Sequence, residues 1–94
     1  MTPEIFNAGL RSDGFREAVV IERASGYALD EHAHPFDARA LITAGEITLV
    51  VAGVTTRYAV GDVFYLPAGT PHFESAGTDG VTYLSGRREA ASPT

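Results

Sequence analysis

Ten glycines and five prolines punctuate this chain of 94 residues so regularly that it reads as a series of short elements. Between the breaks lie short runs of β-branched and aromatic residues, with turn signals every eight to twelve residues. That rhythm indicates an antiparallel barrel or sandwich. Phe15 to Arg23 reads as a strand after the Ser12-Asp13-Gly14 turn, and Tyr27 to His34 as the next, closed by Pro35. Ala38 to Thr43 follows. Glu46 to Val51 and Thr55 to Val60 form a hairpin around Ala52-Gly53, with Ile47, Leu49 and Val51 sharing one face. Val63 to Leu66 lies before a rigid Pro67–Pro71 loop, and His72 to Ser75 and Val81 to Ser85 are the last strands. No segment reads as a helix. The first dozen residues are expected to supply an edge strand, and Glu89 to Thr94 a frayed tail.

A chain of this length closes one modest core, so residues 1–94 are expected to form a single domain. No apolar run approaches the length of a membrane span, and the N-terminus lacks the basic-then-apolar order of a signal peptide. A cytoplasmic location is expected. The formal net charge of −5 argues against nucleic-acid binding, and Arg87-Arg88 is too short to be a basic patch; the pair reads as a solvated strand end. There is no cysteine, so any metal site must use nitrogen and oxygen donors.

The chain has three histidines, and their placement is informative. His32 and His34 flank Ala33; on a strand, positions i and i+2 face the same way. His72 follows the Pro/Gly-shaped loop and can reach the same point from another strand. Three neutral imidazoles can hold one divalent transition metal (Fe, Ni, Mn or Zn) while leaving coordination positions open. Glu74, two residues after His72, shares its face and is the candidate catalytic group. Asp37, Arg39 and Tyr83 are candidate substrate-binding residues. Phe64 and Leu66 share one face of their strand and Val63 and Tyr65 the other, and one pair is expected to line a cavity; Phe73 should point away from His72.

These spacings resemble the cupin superfamily. Gly26, His32-x-His34 and Gly45 match its first motif (residues 26–45), and Gly61, Pro67, Gly69 and His72 match its second (61–76), with the 46–60 hairpin between them. The resemblance implies a small antiparallel β-barrel of the jelly-roll type with a metal in its mouth, and a homodimer in which residues 4–10 lend a strand to the partner. Two family positions differ: Ala38 falls where a glutamate ligand is expected, and Ala76 where an asparagine is. The resemblance further implies a mononuclear metalloenzyme, dioxygenase- or isomerase-like, acting on a small oxygen-chelating molecule. The alternative is a non-catalytic binding protein in which the metal anchors a ligand.

Overall fold

In the computed structural model, which describes residues 1–90, the chain folds as one helix followed by six strands. These are α1 (Pro3–Ser12), β1 (Val19–Arg23), β2 (Ala28–His32), β3 (Phe36–Val51), β4 (Val54–Ala59), β5 (Val63–Leu66) and β6 (His72–Glu89). Every strand pairing is antiparallel, as in a jelly roll. The long strands β3 and β6 pair along most of their length, and the short strands complete the sheet around them: β1 and β2 on β6, β4 and β5 on β3. No helix among the described residues is long and apolar enough to cross a membrane.

The expected N-terminal edge strand is a helix. Thr2 caps it, accepting the Ile5 amide at 3.3 Å, Pro3 pre-sets the first turn, Glu4 and Arg11 complement the helix dipole, and Phe6 and Leu10 form a buried i, i+4 pair. Phe6, Leu10, Phe15 and Leu41 make a small core on the outer face of the sheet. Burying a leucine as fully as Leu10 is worth about 2 kcal/mol. Gly86 makes this possible, because a Cβ there would press into the Leu10 methyl groups at 2.7 Å. Residues 4–10 are therefore committed to this chain's own sheet. Phe15 likewise belongs to that outer core, ahead of β1.

Two pairs of expected strands are each one strand. Ala38–Thr43 and Glu46–Val51 merge into β3, and His72–Ser75 and Val81–Ser85 into β6. The intervening glycines bend the strands without ending them. Register shifts fall between Ile42 and Ala44, where β3 carries one extra residue, and between Gly45 and Ile47, where β6 carries three, so the inward face changes parity once along each strand. Hence Ala38, Ala40 and Ile42 point inward before the bend, and Ile47 and Leu49 after it. Gly45 has φ +68°, and a Cβ on it would collide with the Gly80 carbonyl oxygen, so the two bent strands meet where no side chain fits. The β3–β4 hairpin turns at Ala52-Gly53, both at positive φ, as a tight two-residue turn requires. Strand β6 runs on through Glu89, which pairs with Arg16 at 2.6 Å; the remainder of the expected tail, residues 91–94, lies outside the described residues.

Candidate metal centre

Strand β2 meets β6 at His32 opposite His72. A register shift between Leu29 and His32 turns the end of β2 so that His32 and His34 both face the interior. The Pro67–Pro71 loop is stapled to the segment after β2. The Gly69 amide donates to the His34 carbonyl at 2.8 Å, and the Ala68 amide to Asp37 Oδ1 at 2.8 Å. Pro67 and Pro71 limit the backbone freedom of this loop, which delivers His72 to the head of β6.

The ring centroids of His32 and His72 lie 4.3 Å apart, with His34 at 5.0 Å and 5.2 Å from them. His72 is 1% exposed. Glu74 follows on the same face of β6. One donor atom from each of His32, His34, His72 and Glu74 lies within 4.8 Å of all the others. Ligands at about 2.1 Å from one ion stand up to roughly 4.2 Å apart, so small side-chain movements close the group on a metal.

The hydrogen bonding indicates which ring nitrogens face inward. His32 Nδ1 donates to the Asp30 carbonyl at 2.8 Å and His72 Nδ1 to the Thr70 carbonyl at 2.9 Å, in each case two residues back. That places the lone pair of a neutral ring on Nε2. Both Nε2 atoms are buried without a hydrogen-bond partner. Glu74 Oε1 lies 3.2 Å from one and 3.4 Å from the other, close enough for an ion pair but without hydrogen-bond geometry. Three acceptors therefore converge with no proton placed between them. A cation relieves that arrangement, so the donor set fits a divalent metal. Burial, and then the neighbouring His72 and His32, hold the His34 imidazole below its ordinary pKa, which keeps it neutral and able to ligate.

A cavity of about 150 Å³ opens beside this group. Ala38, Phe64 and Leu66 provide apolar lining, Tyr27 and Tyr83 polar groups, and Arg23 and Arg87 positive charge. The Tyr27 hydroxyl donates to Glu74 Oε2 at 3.2 Å. Tyr83 is 9% exposed, and burial, reinforced by the Glu74 charge, pushes its phenol up to about 12. It keeps its proton at neutral pH.

The structure does not bring all the sequence-derived candidates together. Asp37 is absent from the cavity lining: its Oδ1 accepts from Ala68, and its Oδ2 from Arg88 Nε at 3.0 Å and Nη2 at 2.8 Å. Arg39 faces the outer core, donating to Asp13 Oδ2 at 2.8 Å with its guanidinium 4.4 Å from the Phe15 ring centroid. Strand parity separates it from Ala38, which lines the cavity. Tyr83, Phe64 and Leu66 do line it, and Phe73 is exposed. Tyr27 and Arg23 did not emerge as site residues from the sequence, and Arg87 read as solvated; it is exposed, and it also lines the cavity. Once β6 is continuous, alternation from Tyr83 through Ser85 to Arg87 places all three on the cavity face.

Fold and site together define a small jelly-roll domain with a three-histidine, one-carboxylate cluster in its mouth. The chain belongs to the cupin domain family, whose model matches residues 19–85. It is similar to a conserved protein of unknown function from Streptococcus pyogenes (TM-score 0.70, 25% identity, covering 81% of this chain and 66% of that one). It also resembles a cupin superfamily protein from Desulfitobacterium hafniense in fold (TM-score 0.67, 21% identity, 80% and 67% covered). The DMSP lyase DddQ from Ruegeria pomeroyi is similar over 87% of this chain but only 42% of its own length (TM-score 0.71, 25% identity). The chain thus spans about two thirds of the first two proteins and less than half of the lyase. No functionally curated protein matches the sequence significantly.

Proposed function

We propose that this cupin is a mononuclear metalloenzyme in which His32, His34, His72 and Glu74 hold one divalent transition metal beside a small oxygen-chelating substrate. The observation that carries this reading is the pair of buried, partnerless Nε2 atoms of His32 and His72 aimed at one carboxylate oxygen. The similarity to a protein that is itself a lyase is consistent with it. Glu74 restores from β6 the carboxylate that Ala38 does not offer from β3.

A divalent ion held there would supply a Lewis acid beside the cavity. The chain's own groups do the rest. An imidazole that ligates a metal brings no charge of its own, so Glu74 would compensate part of the metal charge. Its Oε2, hydrogen-bonded to Tyr27, is the acceptor for a proton drawn from a substrate carbon or hydroxyl. Tyr83 remains protonated and offers a hydrogen-bond donor to a developing oxyanion. Ala38, Phe64 and Leu66 limit water around the reacting group.

Elemental analysis of untagged protein tests the site directly. Near-stoichiometric metal that is lost in a His32→Ala/His34→Ala double variant is expected, and absence of metal after anaerobic reconstitution with Fe(II), Mn(II) or Ni(II) would sink the proposal. A second reading, a non-catalytic protein whose metal anchors a ligand, draws on Ala38: it leaves Glu74 as the one carboxylate in the cluster, shared between ligation and proton transfer. Ligand binding without turnover on any of those metals would favour it.

A further inference from the structure

We propose that Arg87 makes this site selective for ligands bearing a carboxylate at the end away from their chelating oxygens. This deepens the metal-site reading and rests on it. Twelve carboxylates serve seven arginines in this chain, so an arginine has no shortage of acidic partners. Arg16, Arg39, Arg57 and Arg88 each have one within 4.0 Å. The two arginines that line the cavity have none among the described residues. Arg23 instead donates to its neighbour's carbonyl, at Glu22, and lies 5.2 Å from the Tyr27 ring centroid. Arg87 makes no side-chain hydrogen bond among those residues; its guanidinium carbon lies 4.4 Å from the Phe36 ring centroid.

Contact with a ring face restrains a guanidinium while its N–H groups stay available, and the fork they form matches a carboxylate. Phe36 also stacks on His34, with centroids 4.9 Å apart and planes 13° from parallel. Arg87 is therefore two ring contacts from the metal cluster, and on the cavity face. Charge points the same way. A divalent ion with three neutral histidines and Glu74 carries a net positive charge, and Arg87 adds another. In a chain of formal charge −5, this cavity is then a local positive region, suited to a dianion with one end on the metal.

Isothermal titration of the Ni(II)-loaded protein with matched 2-oxoacids tests this. 2-Oxoglutarate is compared with 2-oxopentanoate, and 2-oxoadipate with 2-oxohexanoate; each pair has the same chelating head and carbon count, with and without the distal carboxylate. At least one diacid is expected to bind tenfold or more tighter than its monoacid. Arg87→Gln should reduce that preference to threefold or less while metal content and monoacid affinity hold, Arg87→Lys should keep part of it, and Arg57→Gln all of it. Equal binding of diacids and monoacids, or a preference that survives Arg87→Gln, overturns the inference and leaves the metal reading standing. Failure to take up Ni(II), or to bind any of the four acids, overturns both.

Discussion

His32 and His72 face one another across the β2–β6 pair, and each donates Nδ1 to the carbonyl two residues before it. The two imidazoles are thereby held in the same tautomer, from two elements far apart in sequence, with their Nε2 atoms on a shared carboxylate oxygen. This repeated device fixes the orientation of both rings.

Glu74→Gln should separate the cost of that arrangement from its use. In metal-free protein the Gln amide can donate to an Nε2 that now faces an acceptor, a gain of about 1 kcal/mol. That corresponds to roughly 4–8 °C in melting temperature for a domain of this size. Scanning calorimetry in chelator should show a more stable apo-protein. Metal affinity should fall, and turnover per bound metal should fall by about 10²-fold or more, as for loss of a general base.

Tyr27→Phe removes the hydrogen bond to Glu74 Oε2 and leaves the ring in place. Metal affinity, measured by chelator competition, is expected to drop about 10- to 100-fold, the usual effect of losing a group that orients a ligand. An unchanged affinity would take Tyr27 out of the site's support.

Asp37 governs a pH dependence. The Ala68 amide, and then Arg88, hold its carboxyl below the ordinary carboxylate range. A folded pKa lower than the unfolded one contributes stability that is present above about pH 4 and is lost as pH falls through the folded value. Melting temperature against pH should therefore fall less steeply below pH 4 in Asp37→Asn than in the wild type. Parallel curves would show that the ion pair adds nothing.

Gly45→Ala should destabilise the fold by more than about 2 kcal/mol, read as a lower denaturation midpoint in urea. The positive φ disfavours alanine, and the Gly80 carbonyl occupies the place of its Cβ.

The dimer expected from the family resemblance now needs a different surface, because α1 rather than a free strand occupies the N-terminus. Strand β1 pairs with β6 alone and exposes Val19 and Val20, at 53% and 62%. An exposed apolar edge of this kind favours pairing with another copy. Light scattering should show a dimer that Val20→Lys converts to monomer; a monomeric wild type would rule it out.

Much of the fold was legible because its signals are local. Alternation placed Ile47 and Leu49 on one face, and Phe64 and Leu66 on one face, while Ala52-Gly53 marked its turn. The helix was legible too, in Thr2-Pro3-Glu4 and the Phe6/Leu10 spacing, but a brief amphipathic signal was outweighed by the strand rhythm that follows it. Gly45 and the Gly77–Gly80 segment were misleading, since a glycine that ends a strand and one that lets two strands cross closely look alike in sequence.

By itself the sequence determined the antiparallel β architecture, the hairpin, and the set of groups able to bind a metal, because turn chemistry and strand parity act over a few residues. Tertiary structure decided which groups converge. The register shift in β2 aimed His32 and His34 at His72, and the merging of β6 brought Arg87 to the cavity. The pairing of β3 with β5 and β6 sent Asp37 and Arg39 to the Ala68 loop and the helix-covered face. Those outcomes depend on contacts between residues tens of positions apart, and a single bulge reverses every facing beyond it.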